Sequence, residues 1–173
     1  MDGPVGGPRP RALARAWYAQ KRWLYRGGRP HGLARALNDV WGRLYARGWL
    51  SLGRGATLQV RGRTTGRTLT LPVVVAEHRG AHYLVSMLGD DAGWVRNVRA
   101  DDGRATLVAG GRARAVRLVE VPVDDRPEIL RRYLDLAPGA RPHVPVARTA
   151  PLADFRRVAA DFPVFRVEER PRQ

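Results

Sequence analysis

Two apolar strands that flank an arginine- and glycine-containing turn restrict the fold of this chain more than any other feature. Leu58 and Val60 alternate with polar residues, which is the period of a half-buried strand, and a β-branched run follows the turn. The two predicted strands of this hairpin are residues 57–63 and 68–76. The turn between them, Arg63–Arg67, contains Gly66, which can adopt positive φ without steric cost. Exposed N–H groups in such a turn form a concavity that arginine can close, so the turn is a candidate anion site.

Further strands and short helices follow the first hairpin. We predict strands at 81–87, 106–109, 112–121 and 164–168, helices at 93–100, 124–136 and 151–160, and a proline-rich loop at 137–150. Asp90 or Asp91 is expected to cap the helix at 93–100. Because most strands are joined by hairpins rather than by βαβ crossovers, the predicted fold class is a mainly antiparallel β-barrel with flanking helices.

The N-terminal third is more basic than the rest of the chain. Residues 1–54 contain eleven basic and two acidic residues, a net charge of +9 out of +15 for the whole sequence. We predict a disordered lead at residues 1–10, two basic amphipathic helices within residues 11–52, and the barrel at residues 53–173. The second helix is expected to pack on the barrel. The first helix, residues 11–26, either packs inside the molecule or binds an anionic membrane surface.

Composition excludes several classes of protein. The sequence has no cysteine, which rules out disulfides, thiolate catalysis and cysteine-based zinc sites. No apolar run reaches the ~18 residues of a membrane span. The first ten residues do not resemble a secretory signal. We therefore expect a cytoplasmic protein, peripheral to the inner face of the membrane if residues 11–26 bind lipid.

Familiar catalytic groups are largely absent from the sequence. Neither of the two serines lies in a nucleophile elbow, and His78 and His82 flank a predicted turn rather than share a helix face. No dinucleotide fingerprint or P-loop is present. If the protein is an enzyme, its reactivity must come from a bound cofactor that the chain binds, orients and shields.

Several motifs together resemble one family, the deazaflavin-dependent nitroreductases, also called F420H2-dependent quinone reductases. They are the Thr-Thr-Gly-Arg turn, the apolar strand with Pro72, the Ser-Met-Leu-Gly segment and the Trp-Val-Arg-Asn-Val-Arg helix. The resemblance covers roughly residues 38–167 and implies a split β-barrel of the FMN- and F420-binding type. It also implies that the Arg63–Arg67 turn, including Thr64 and Thr65, holds the phosphate and acidic tail of the cofactor. Many members have Lys or Arg where Thr64 stands, and often Arg where Leu69 stands.

The same resemblance implies a second half of the cofactor site. The backbone of Met87, Leu88 and Gly89, after Ser86, would border the deazaflavin ring, and Trp94 and Asn97 would flank the cofactor from the helix. Taken alone, Trp94 is equally well explained as a core anchor. Tyr133 and His143 are candidate substrate residues and proton donors.

The function implied is reduction of a quinone or nitroaromatic acceptor by hydride transfer from reduced coenzyme F420. Two alternatives remain at this stage. One is an FMN-binding split-barrel oxidoreductase; the other is a non-enzymatic basic module that binds a membrane surface or nucleic acid. The aromatic residues of the basic region cluster on helices rather than across a sheet face, which makes a single-stranded nucleic-acid platform the weaker alternative.

Overall fold

The computed structural model describes residues 55–170. The predicted lead at 1–10 and the two predicted helices within 11–52, with the membrane contact expected of residues 11–26, lie outside the described residues. None of the helices within residues 55–170 is both long and apolar enough to cross a membrane.

Seven strands and three α-helices make up the described part of the chain. The strands are β1 (Gly55–Arg61), β2 (Thr68–Val74), β3 (Ala76–His78), β4 (Ala81–Val85), β5 (Arg104–Ala109), β6 (Arg112–Glu120) and β7 (Val164–Glu169). The helices are α1 (Gly93–Ala100), α2 (Arg126–Leu136) and α3 (Leu152–Val158). Every neighbouring pair is antiparallel, in the order β2-β1-β5-β6-β7-β4-β3. The predicted hairpins and helices are confirmed, with boundaries that shift by a few residues. The predicted single strand at 68–76 is instead divided at Val75 into β2 and the start of β3.

The sheet curls because a single residue joins its two edge strands. β2 and β3 occupy opposite edges of the strand order, yet only Val75 separates them in the sequence. Seven strands about 4.8 Å apart would place the edges of a flat sheet about 29 Å from each other. One residue spans about 3.3 Å, so the sheet must curl until its edges meet. The predicted antiparallel barrel is confirmed.

Successive residues of the strands face two separate cores. Ala56, Leu58 and Val60 of β1 point into the barrel, as their alternation predicts, and are at most 2% exposed. Helix α1 covers one end of this interior with Val95 and Val98. Val85 of β4 and Val164 of β7 face the outside of the sheet. There, α2, α3 and the segment after α2 form a second core.

The start of α1 differs from the prediction. Its N-cap is Ala92, without a side-chain hydrogen bond, so capping by Asp90 or Asp91 is wrong. Asp90 instead accepts a hydrogen bond from Arg99, and Asp91 pairs with Arg96. Both arginines belong to α1, and a charged partner competes successfully with a neutral backbone N–H for the carboxylate.

Irregular turns modify the two later helices. The predicted helix at 124–136 begins with a 3-10 turn at Val123–Asp125 before α2 starts. The predicted helix at 151–160 is α3 followed by a 3-10 turn at Ala159–Asp161. The predicted loop at 137–150 contains a 3-10 segment, Pro138–His143.

An ionic network fixes α1 and α2 to the end of β6. Glu120 accepts hydrogen bonds from Arg99 of α1 at 2.7 and 2.8 Å and from Arg126 of α2 at 3.0 Å. Arg126 is 6% exposed and also donates to the carbonyls of Val121 and Ala159. Arg99 reaches Asp90 at 2.7 Å, so the loop before α1 joins the network.

The Asp90 carboxylate should stabilise the fold only above acidic pH. The hydrogen bond from Arg99 lowers the pKa of Asp90 from the ordinary value. The contribution of the carboxylate to the free energy of unfolding is therefore complete above about pH 3.9 and disappears as the pH falls through the lowered pKa. We expect Asp90→Asn to lower Tm slightly at pH 7, since 65% of the side chain is exposed, and to lower it by less as the pH falls below about 3.9. Thermal unfolding across this range tests it, with Glu77→Gln as the control because no cation in residues 55–170 pairs with Glu77. A Tm difference that persists unchanged at low pH would contradict the prediction.

Gly103, which follows α1, is required by a close backbone approach. Its N–H donates to Val98 at 2.9 Å and its carbonyl accepts from Leu118 at 2.8 Å. Its φ is +77°, and a Cβ atom there would lie 2.4 Å from the Leu118 carbonyl oxygen. Gly110, in the β5–β6 hairpin, also has positive φ (+55°), but nothing lies within 4 Å of a Cβ placed on it.

Gly103→Ala should therefore destabilise the protein more than Gly110→Ala does. Both substitutions add backbone strain of about 1 kcal/mol, whereas Ala at 103 also displaces β6, for a total of roughly 3 kcal/mol or more. Chemical denaturation of the two variants measures the difference. Equal losses of unfolding free energy would show that the contact with Leu118 relaxes without cost.

Candidate functional site

The Arg63–Arg67 turn joins β1 to β2 and is closed by main-chain hydrogen bonds. Gly62 N–H donates to the Arg67 carbonyl at 2.8 Å, and Gly66 N–H donates to the Gly62 carbonyl at 2.7 Å. Gly66 has φ of +66°, which confirms the predicted left-handed conformation. Thr65 Oγ1 accepts from Arg67 N–H at 3.3 Å. The turn thus has a defined shape even though residues 63–67 are exposed.

Gly62 also shapes the turn, and the sequence analysis missed it as a site residue. It is buried, and a Cβ atom there would lie 3.1 Å from both the Arg67 carbonyl oxygen and Thr65 Oγ1. Any larger residue would therefore push the two ends of the turn apart. The sequence does show a glycine directly between two arginines. Because Gly62 has negative φ, the turn type alone does not require glycine there, and only the close contacts reveal the need for it.

The arginines of the turn lack acidic partners. Within residues 55–170, no carboxylate lies within ion-pair distance of Arg63 or Arg67. Many arginines elsewhere in this range, such as Arg79 and Arg114, do pair with carboxylates. Unneutralised cations on a fixed turn are an electrostatic site for an anion.

Asn97 brings the turn and helix α1 together. Its side-chain oxygen accepts from Arg63 N–H at 3.2 Å and from Arg63 Nη1 at 3.0 Å. Two N–H donors converge on the same atom, so that atom must be the amide oxygen rather than the nitrogen. Asn97 is 3% exposed, so water competes little for these bonds. The side chain that was expected to flank the cofactor is engaged, through its oxygen, in holding Arg63.

The Ser86–Gly89 segment forms a second fixed turn directly before α1. The Ser86 hydroxyl, 1% exposed, donates to the Gly89 carbonyl at 2.7 Å. Gly89 has φ of +83°, and a Cβ atom on it would lie 3.2 Å from the Asp161 carbonyl oxygen. Between them, Met87 packs partly against the outer core and Leu88 is 43% exposed. Ser86 therefore shapes this turn through its hydroxyl.

Helix α1 connects the two turns. The 86–89 turn follows β4 directly and leads into α1, and Asn97 of α1 bonds to Arg63. Both predicted halves of the site are thus connected through α1.

Trp94 lies on α1 at the edge of the barrel interior. Its ring centroid is 5.4 Å from that of Phe165, with the planes tilted by 58°, and the residue is half-buried against the inner core. The contact has the geometry of a favourable aromatic pair. The structure accounts for Trp94 as a core anchor, and its contact with a cofactor stays a prediction.

Tyr133 and His143 lie in a different region. Tyr133, on α2, is 5% exposed within the outer core, and His143 is half-buried at the end of the 3-10 segment after α2. The outer core and the α1 end of the barrel are on opposite faces of the sheet. The role of either residue toward a substrate stays a prediction.

A cavity of about 540 Å³ lies away from both turns, between the start of α2 and the β3–β4 hairpin. None of the predicted site residues lines it. Among its lining residues, Glu128 lies 3.3 Å from His78 and 2.8 Å from Arg79. No cluster of His, Asp or Glu within residues 55–170 could hold a metal ion. The unpaired arginines favour the Arg63–Arg67 turn as the functional site.

Comparison with solved structures finds similar folds at low sequence identity. A protein of unknown function from Agrobacterium tumefaciens str. C58 is 16% identical, with a TM-score of 0.51, over 69% of this chain and 49% of the other. The chain thus spans about half the length of that protein. An F420-H2 dependent reductase, FDR-A, is 18% identical over 66% of this chain and 94% of its own, with a TM-score of 0.44. A NimC/NimA family protein from Clostridium acetobutylicum is 15% identical over 72% and 81%, with a TM-score of 0.44.

The sequence itself identifies the family. No curated protein sequence matches the chain. A sequence model of the F420H(2)-dependent quinone reductases matches residues 48–151, which include both turns and all of α1. The expected split β-barrel agrees with the closed antiparallel sheet. The chain belongs to the F420H(2)-dependent quinone reductase family.

Proposed function

We propose that this protein is an oxidoreductase that uses reduced coenzyme F420 to reduce an organic acceptor, a quinone or a nitroaromatic. The observation that carries the proposal is the fixed turn at 63–67, whose two arginines pair with no carboxylate within residues 55–170 and whose Arg63 is held against α1 by Asn97. Family membership makes the deazaflavin the cofactor to test first.

The residues present fit the polyanionic part of such a cofactor. Arg63 and Arg67 supply positive charge, while Thr64, Thr65 and Gly66 lie on the exposed turn between them. Gly66 leaves room beside the backbone for a close approach by a phosphate oxygen. When bound, the reduced deazaflavin supplies the hydride.

The second turn would hold the ring. Its shape is fixed by the Ser86 hydroxyl and by the approach of Gly89 to Asp161, so residues 87–89 present a rigid edge. Exposed Leu88 offers apolar surface for a planar ring or acceptor, and half-buried Trp94 offers an aromatic one. The protein would then accelerate the reaction by orienting the acceptor against the ring, which can lower the activation barrier by several kcal/mol in well-aligned reactions. Tyr133 and His143 are the candidates to move a proton if water does not.

Two positions depart from the pattern expected of the family. Thr64 is exposed on the turn and carries no charge. Leu69 pairs with Val60 across the hairpin, so it shares the barrel-facing side of the sheet, and it is 46% exposed at the rim. A cation is therefore missing from the inner rim of the turn.

Titration of the purified protein with oxidised coenzyme F420 and with FMN, followed by chromophore fluorescence, tests the cofactor. We expect F420 to bind and FMN to bind more weakly, since Arg63 and Arg67 can contact an extended anionic tail as well as a phosphate. Arg63→Ala and Arg67→Ala should each lose about 1.5–3 kcal/mol, a ten- to hundredfold rise in Kd. Tighter binding of FMN, or unchanged F420 affinity in the double variant at low salt, would reject the proposal.

Asn97 should act on the cofactor through Arg63. Asn97→Leu keeps the branched arrangement of the side-chain heavy atoms but removes the acceptor, so Arg63 loses its orientation while its charge remains. We expect a five- to twentyfold rise in the Kd for F420 in Asn97→Leu, and little further loss when Asn97→Leu is added to Arg63→Ala, because Asn97 acts through Arg63. A double-mutant cycle in F420 titrations measures this. Additive losses would mean that Asn97 contacts the cofactor independently.

A further inference from the structure

Arg61 ends β1 one residue before the Gly62–Arg67 turn, on the outer face of the sheet. Val60 faces the barrel interior and is 2% exposed, so the next residue faces outward. Arg61 pairs in register with Thr68, the first residue of β2, and is exposed. It was not among the predicted site residues.

The guanidinium of Arg61 folds over the turn. Its Nη2 and Nε atoms are 3.7 and 3.8 Å from the position that a Cβ atom on Gly66 would occupy. Arg63, in contrast, is bound to Asn97 on the α1 side. Arg61 therefore approaches the turn at Gly66, whereas Arg63 is held by Asn97.

Arg61 also has no acidic partner in the described part of the chain. No carboxylate in the described range 55–170 lies within ion-pair distance of it. Arg61, Arg63 and Arg67 thus place three unpaired cations within seven residues. Like charges so close repel one another, and an anion bound between them would relieve the repulsion.

The position of Arg61 complements the missing cation at Leu69. Leu69 lies on the barrel-facing side of the hairpin, whereas Arg61 is on the outward side of the neighbouring strand. The barrel-facing side of the hairpin beside the turn therefore presents apolar surface, and the outward side presents an additional cation.

We propose that Arg61 is a third anion-binding residue, which extends the anion site of the turn from the α1 side, at Arg63, to the outer face of the sheet. The ligand class is a linear polyanion with at least two separated anionic groups. One group lies near Arg63, and the other near Arg61 and Gly66. The inference rests on the proposed function of the turn and assigns to it a residue that compensates for Leu69.

The test compares Arg61→Gln and Arg61→Glu with Arg112→Gln. Arg112 begins β6, is exposed, and pairs with no carboxylate within residues 55–170. It lies beside the β5–β6 hairpin, next to the start of β1 rather than its end. Seven residues of β1 span about 20 Å, so Arg112→Gln removes the same charge far from the turn.

Two probes are titrated: oxidised coenzyme F420, by fluorescence, and pyrophosphate, by its effect on Tm. We expect Arg61→Gln to raise the Kd for F420 five- to thirtyfold and Arg61→Glu to raise it further, while Arg112→Gln changes it less than twofold. Pyrophosphate should raise the Tm of the unmodified protein, and less so for both Arg61 variants. Unliganded Tm values serve as the folding control, because Arg61 is exposed.

The outcomes separate this proposal from the proposed function. If F420 binds and both Arg61 variants match Arg112→Gln, the role of Arg61 is overturned while the proposed function stands. If F420 does not bind but pyrophosphate stabilises the protein in an Arg61-dependent way, the cofactor is wrong and the role of Arg61 stands. If neither probe has an effect, both are rejected.

Discussion

The hydrogen bonds from Arg63 to the Asn97 side chain connect the Arg63–Arg67 turn to helix α1, and the geometry of the candidate site depends on them. The two residues are 34 positions apart in the sequence, yet one amide oxygen receives both the main-chain and the guanidinium N–H of Arg63. Because Asn97 is almost fully buried, its side-chain oxygen is satisfied by Arg63 rather than by water. The orientation of Arg63 is therefore set by α1 as well as by the turn.

Helix α1 can do this because it is itself held on several sides. At eight residues it is too short to be stable alone. Val95 and Val98 bury it in the barrel, Trp94 packs on Phe165, and Arg99 ties it to Glu120. The turns at 63–67 and 86–89 thus share one support. Movement of α1 would change both together.

The distribution of charged groups is more informative than the net charge of the protein. A net charge of +15 by itself describes a basic surface. In the described residues many arginines are matched by carboxylates, as in the network of Arg99, Glu120 and Arg126. Those of the turn at 61–67 are not matched within that range, and there the positive potential is available to a ligand.

The sequence by itself determined the local features: the inward alternation of Leu58 and Val60, the left-handed Gly66, and the limits of α1 at Gly93 and Ala100. Each follows from a short period or from the steric freedom of one residue. Only the tertiary structure decided the strand order, the closure of the barrel at Val75, and the partners of Asn97, Asp90 and Arg61. These depend on which distant residues meet when the sheet curls, and no local pattern in the sequence encodes such a meeting.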